Sequence, residues 1–353
     1  MEGMEQAKRR FQSGRHPVDS MVVEGGVGLV PGDLLSGDTF GRVVMGRDRR
    51  PGASPDRRLR QARPPAANGS ARGGRGPQEG SVMSEGIVRT VVCAIDDSAL
   101  APAVVYAAVG LAEHLRARLI VVRADSRAGQ GEEARQAATA ALEEFMLNAV
   151  PGGVGYRAAT ETRVVPGSPA EAVLRVAAQE EAGLIVMGTS GRGFLGRAIL
   201  GSTAHDVLKS ARVPVAVVPP SSPEIAALVG GRTVPRFGIV LVPLDLRSDA
   251  TSQLAVTAVL GSGSTHRPLL MHVTDPGTDH VLLRERLNRL GLSIPGGRGG
   301  KLLILDGDVA QCIVKVTTKD DVGLVILGRA HDDAGQVACA VLERSRAVVV
   351  VVP

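Results

Sequence analysis

From Ile87 onward the chain alternates short, wholly aliphatic runs with longer segments that are apolar along one face. "IVRTVVCAID", "RLIVVRA", "TETRVV", "GLIVMG" and "VPVAVVP" read as strands. Between them, "ALAPAVVYAAVGLAEHL", "GEEARQAATAALEEFMLNAV", "SPAEAVLRVAAQEE" and "STAHDVLKSA" read as helices. Ser168 followed by Pro169 is a helix start with a capping hydroxyl and a proline in the first turn. Strands apolar on both faces that alternate with helices belong to a parallel sheet covered on both sides. The fold class expected is therefore α/β, with an open five-stranded parallel sheet in three layers.

The pattern restarts at Ile239, after the Pro/Ser/Gly-rich stretch "PPSSPEIAALVGGRTVPRFG". "IVLVPLD" matches "VVCAIDD", which puts Asp245 where Asp96 stood. "GDVAQCIVKVTTKDDVGLVILG" matches "GSPAEAVLRVAAQEEAGLIVMG", and Gly167 to Gly188 and Gly307 to Gly328 are both 21 positions apart. Matching order and spacing define an internal repeat. It predicts two tandem domains, at 87–219 and 237–353, joined by a linker at 220–236. One interval differs, since Gly188 to Gly201 is 13 positions and Gly328 to Gly335 is 7.

Residues 1–82 carry no sustained periodicity, and they hold 14 basic against 9 acidic residues. The remaining residues hold 27 of each sign, so the formal charge of +5 comes entirely from this segment. From Arg47 to Arg75 it is rich in Arg, Pro, Gly and Ala, a composition that cannot bury enough apolar surface to offset its ordering entropy. A disordered basic tail is expected. One reading makes it a non-specific arm for nucleic acid or an acidic surface; another places the natural start at Met83, which opens straight into a strand. The core must be aliphatic, because aromatic residues make up 2% of the chain and tryptophan is absent. Cys93, Cys312 and Cys339 are too widely spaced for a disulfide framework or a metal site, so a reducing cytoplasmic setting is expected. The aliphatic run Ala347 to Val352 is far too short to span a bilayer. Neither a membrane nor a nucleic-acid partner is expected.

The stretch "GTSGRGFLGRAILGS", Gly188 to Ser202, spells two phosphate-binding motifs at once. As G-x-G-x-x-G it follows the fourth strand instead of the first, and around position 216, where an acid for the ribose is needed, none comes until Glu224, so the dinucleotide reading fails. As a phosphate loop it has Ser202 in place of the lysine, which serves hydrolytic chemistry poorly. A third spacing does fit: Gly188, Gly191, then Gly201-Ser202. Small residues after a parallel strand let backbone N–H groups approach phosphate oxygens, and a helix starting at Ser202 would point its positive end at the same anion. Ser202 is expected to cap that helix.

On these residues the sequence resembles the universal stress protein family, in the branch that binds ATP. "GSPAEAVLRVAAQEEAGLIVMGTSGRGFLGRAILGSTAHDVLKSARVPVAVVP" follows the family's signature nearly throughout, except that Gly183 stands where the family usually has Asp. The second copy resembles it through the repeat and through "LLMHVTD". The resemblance implies two tandem domains of the adenine nucleotide alpha hydrolase type and a bound ATP, with Mg held through its phosphates. It implies Ala94 and Asp96 at the nucleoside, the backbone near Arg123 at the adenine, and Met187 and Gly188 on the ribose–phosphate side. Gly191, Arg192, Gly201, Ser202 and Thr203 would then meet the phosphates, although Arg192 also reads as a solvated loop arginine. Asp97 and Ser98 read as a turn and helix cap.

In the second copy, "RAHDDAGQ" puts His331 where Gly191 stood and Gln336 where Ser202 stood, and it adds Asp332 and Asp333. Like charge opposes a triphosphate, so this half is expected not to bind ATP. It is expected instead to pair with the first half through the aliphatic last strands as a pseudo-dimer, with a homodimer also open. No Ser/His/Asp set, H-E-x-x-H or cysteine cluster points to catalysis, and His205 reads as an exposed helical residue. Any ATP hydrolysis would be slow. The function expected is an ATP-binding regulatory protein of the stress response with unnamed protein partners. The alternatives are a nucleotide-free scaffold and, less well supported by "AIDDSALAP", a PP-loop-type enzyme.

Overall fold

The computed structural model describes residues 88–149, 159–189, 200–220, 222, 225–229, 232–261, 268–294, 300–319, 321–329 and 334–353. The expectations for the basic tail and for a start at Met83 lie outside these residues. So do Gly191, Arg192, His331, Asp332 and Asp333. All described residues fall in one compact unit, Gly74–Pro353.

The first half runs β1 (Thr90–Ile95), α1 (Ala101–Leu115), β2 (Arg118–Ala124), α2 (Glu132–Ala149), β3 (Thr160–Val165), α3 (Pro169–Gln179), β4 (Leu184–Gly188), α4 (Ser202–Ser210) and β5 (Val215–Val218). A short antiparallel pair, β6 (Ala226–Val229) and β7 (Arg232–Pro235), occupies the stretch expected as plain linker and packs against α1. The second half repeats the order as β8 (Ile239–Pro243), α5 (Thr251–Gly261), β9 (Leu269–Thr274), α6 (His280–Leu292), β10 (Lys301–Asp306), α7 (Val309–Lys319), β11 (Val322–Gly328), α8 (Ala334–Arg344) and β12 (Val348–Val352).

Both halves share one ten-stranded sheet of order β10-β9-β8-β11-β12-β5-β4-β1-β2-β3. Pairing is parallel within each half, and the halves meet where β12 runs antiparallel to β5, with Val350 opposite Ala216. The two strands that end the aliphatic pattern thus cover each other's edges. Left open, such edges would recruit other chains.

Side-chain alternation sorts the core into two layers. Val91, Cys93, Leu119 and Val121 face the side carrying α1 and α2, together with Val240, Leu254 and Val350 from the second half. Val92, Ile120 and Val122 face α3 and α4, and this layer continues through Ile313, Val341 and Val349. Each apolar layer therefore crosses the seam between halves without a break. Within the second half, where the chain enters β8, Gly323 of β11 donates its N–H to the Phe237 carbonyl at 3.0 Å. A Cβ on Gly323 would lie 2.3 Å from that oxygen, so only glycine admits the approach.

Ser168 caps α3 as expected, accepting from Glu171 N–H at 3.4 Å. The remaining outer edge of the first half, β3, is bordered by charge: Arg163 pairs with Glu161 and Glu180, and Arg118 also pairs with Glu180. Val88 packs over Gly183, with its methyl carbons 3.0–3.1 Å from where a Cβ would stand.

Candidate functional site

In the first half the strand order reverses between β1 and β4. The chain leaves β1 toward β2 and β3, then returns to add β4 and β5 on the opposite side. Connections leave such a reversal in opposite directions, so the carboxyl ends of the two strands flank a crevice. Here the crevice is a cleft of about 700 Å³. Its walls come from the end of β1, the end of β2 with the 3-10 turn that follows, the end of β4, and the start of α4.

Eight of the ten residues expected at the site line this cleft: Ala94, Asp96, Arg123, Met187, Gly188, Gly201, Ser202 and Thr203. Gly191 and Arg192 lie outside the described residues. The eight come from segments more than a hundred positions apart, and the sheet brings them together by aligning β1, β2 and β4 in parallel register, with Ala94 beside both Val122 and Met187. His205 is exposed and does not line the cleft.

The two ends of the cleft differ in chemistry. At one end Asp96, Asp97, Arg123, Asp125 and Arg127 supply charge in both signs. Asp96 Oδ1 accepts from Ser98 N–H at 3.0 Å, forming a side-chain-closed turn that leaves Oδ2 for other donors. Asp97 forms an ion pair with Arg123. Asp97 and Ser98 therefore belong to the turn as expected but do not cap the next helix, whose cap position is Leu100 without a side-chain bond. Asp125 accepts from Arg127 at both carboxylate oxygens and from its backbone N–H. The guanidinium bond holds its carboxyl below the usual carboxylate range.

The other end has no charged side chain among the described residues that line it. Gly201, Ser202 and Thr203 open α4 here, and its first N–H groups have no partner within the helix. The cap position is Gly201, with φ −68° and ψ 157°, and Ser202 is the first helical residue instead of the expected cap. Thr189 follows β4 directly. Its N–H donates to Val218 O at 3.2 Å, and its carbonyl accepts from Gly201 N–H at 2.7 Å. Thr189 borders the cleft, and its hydroxyl, fully buried, has no hydrogen-bond partner among the described residues. A buried hydroxyl left unpaired costs about 1–3 kcal/mol. The motif reading passed over Thr189, Asp97, Asp125 and Arg127. Their signal was position alone, within three residues of a strand's end.

The second half treats its own reversal, between β8 and β11, differently. Asp245 repeats the turn of Asp96, accepting from Arg247 N–H at 3.0 Å. Gln253, buried, then donates its amide to Pro243 O and Ile326 O, both at 2.7 Å, tying the ends of β8 and β11 together. A Cβ on Gly328 would stand 3.0 Å from Gln253 Oε1, whereas one on Gly188 would meet the apolar Leu100 and Val104. Helix α8 begins at Ala334, so Gly335 sits inside it instead of before it. Gln336 is exposed.

Fold and site together define a doubly wound α/β protein whose first half carries a cleft at its strand-order reversal. That half, residues 88–219, is a universal stress protein family domain, matched over those residues by the family's model. A stretch of 57 residues is 46% identical to a universal stress protein of Methanocaldococcus jannaschii, and one of 55 residues is 47% identical to a universal stress protein of Thermus aquaticus. Each match covers 16% of this chain; they span 34% and 40% of the relatives' own lengths. A universal stress protein structure from Archaeoglobus fulgidus covers 75% of this chain and 96% of its own, with a TM-score of 0.55 at 19% identity. A structure of a protein of unknown function from Pseudomonas aeruginosa PAO1 covers 75% and 92%, with a TM-score of 0.53 at 17% identity. These two likenesses concern the fold, and their coverage exceeds either half alone. Among the described residues, no helix is long and apolar enough to cross a membrane, and no cluster of ligating side chains could hold a metal ion.

Proposed function

We propose that the first half binds ATP in the cleft at the β1/β4 reversal and that the chain acts as a nucleotide-binding regulatory protein of the stress response. The observation that carries this reading is the convergence of Ala94, Asp96, Arg123, Met187, Gly188, Gly201, Ser202 and Thr203 on one cleft. Asp96 would accept from a ribose hydroxyl or a base amine, and the Arg123 backbone would face the base. Met187 and Gly188 would flank the ribose, and the opening turn of α4 would take phosphate oxygens. Gly191 and Arg192 belong to the proposed phosphate side. Magnesium would be held through the phosphates.

The second half would be silent toward nucleotide and would serve as an intramolecular partner. Supporting this are the Gln253 tie across its strand ends and the absence of a serine or threonine opening α8. Binding with little or no hydrolysis is expected.

Calorimetric titration with Mg-ATP tests the reading, with one site per chain expected. Gly201→Val, which places a branched side chain at the mouth of α4, should abolish it. Gly188→Val is a poorer probe, because its side chain would press on Leu100 at 2.9 Å. Two sites would overturn the silent second half. No heat and no co-purified nucleotide would overturn ATP binding and leave the scaffold reading.

A further inference from the structure

The residue that follows the fourth-strand glycine is equivalent in the two halves but does different work in each. Thr189 N–H donates to Val218 O of β5, and Arg329 N–H donates to Val352 O of β12 at 2.6 Å, so the two backbones are placed alike. Thr189 stays in its own half and pins the start of α4 through its carbonyl. Arg329 reaches across the seam. Its Nη1 donates to Leu208 O at 2.9 Å and to Lys209 O and Ala211 O at 3.2 Å, the carbonyls at the far end of α4. The last carbonyls of a helix lack partners within it, and a guanidinium there satisfies them and complements the negative end of the helix dipole.

Helix α4 has nine residues, about 13 Å of axis. So short a helix is marginal without tertiary support. It is fixed at one end by Thr189 and at the other by Arg329, with Ala204 and Val207 buried between. We propose that Arg329 is a positioning residue for the first half's cleft: the second half, through this one side chain, holds α4 with its N-terminus on the ligand and thereby sets the affinity for the anionic part of that ligand. The inference rests on the reading that phosphate oxygens meet the start of α4. It also gives the nucleotide-silent half a task that simple edge pairing would not require. By linkage, anything that orders α4 for the ligand is itself strengthened when the ligand binds.

The test uses the whole chain, with displacement of a fluorescent ATP analogue by ATP and by adenosine. Arg329→Gln should weaken ATP roughly three- to tenfold, the range of a charge at a helix terminus. Adenosine should change less than twofold, since it brings no phosphate to α4. Arg329→Lys should recover most of the ATP affinity. In the wild type, ATP should slow amide exchange at Ala211, whose N–H closes the last turn on Val207 O, and should do so less in Arg329→Gln. Equal losses for ATP and adenosine would reduce Arg329 to a general structural role and overturn the inference, as would unchanged ATP affinity. A wild type that binds neither compound would instead overturn the cleft reading on which the inference stands.

Discussion

Thr189 concentrates the chemistry of the cleft in one buried atom. Its backbone is used twice, toward Val218 and Gly201, while its hydroxyl is left without a partner among the described residues. Isosteric replacement separates these roles. Thr189→Val keeps the shape and the backbone bonds and removes the unpaired hydroxyl. We expect the melting temperature of the ligand-free protein to rise by roughly 2–4 °C, from about 1 kcal/mol of relieved desolvation. ATP affinity should fall roughly tenfold if the hydroxyl meets the ligand. Thermal melts and titrations on the same preparation check both. A variant that melts lower and binds normally would show that the hydroxyl is satisfied within the protein. The glycine motif around this residue was legible from spacing, because a tight turn after a strand demands small residues at set positions. Thr189 itself was not, because any residue can follow a strand and only burial reveals an orphaned hydroxyl.

At the scale of elements, edge strand β3 and helix α4 owe their placement to charged groups the periodicity did not foretell. Beside β3 the Glu180 carboxylate, at the end of α3, accepts from Arg163 of β3 and Arg118 of β2, and those bonds hold its pKa below the usual carboxylate range. A carboxyl depressed in the folded state contributes stability above its unfolded value, about 4.3 for glutamate. That contribution disappears as pH falls through the lower folded value. The wild type should therefore lose stability below about pH 4.5 more steeply than Glu180→Gln, and the difference should shrink in high salt because the pairs are partly solvated. Chemical denaturation across pH 3 to 6 at two salt concentrations measures it. Identical acid profiles would mean that the pairs border the strand without stabilising it. Strand and helix identities were readable from the sequence, since aliphatic runs and one-sided apolar faces are local properties. The β6–β7 pair was hidden because its stretch carries the Pro, Ser and Gly of a linker and takes its order from packing on α1.

Over the whole molecule, the two halves behave as one folding unit if their apolar layers are truly continuous across β5 and β12. Calorimetry should then show a single transition with matching calorimetric and van't Hoff enthalpies; two separated transitions would refute this. The seam also buries a titratable group. His114, at the end of α1, meets Phe237 edge-on with ring centroids 5.4 Å apart, and its Nε2 is buried without a hydrogen-bond partner among the described residues. Burial lowers its pKa below the usual histidine value, opposed by the carbonyls of Val259 and Leu260 on α5. A histidine depressed in the folded state takes up its proton more readily when unfolded, so stability declines as pH falls below about 6.5. Melting temperatures between pH 8 and 5 should show that decline, and His114→Gln should flatten it. An unchanged slope would place the pH dependence elsewhere.

The sequence alone determined that this is an α/β protein built from a repeated pattern, and which glycines and acids stand at strand ends in its first half. These are local matters: side-chain periodicity, turn-forming residues and fixed spacings act over a few positions each. Three things were left to the tertiary structure. It gave the expected pairing of the two last strands its antiparallel direction and register, β12 against β5, within one sheet. It set Gln253 across the strand ends of the second half, and it carried Arg329 over the seam to the end of α4. Each depends on a contact between residues far apart in the chain, where the partner is chosen by geometry and the requirement that buried polar groups and open strand edges be satisfied, and nothing local announces it.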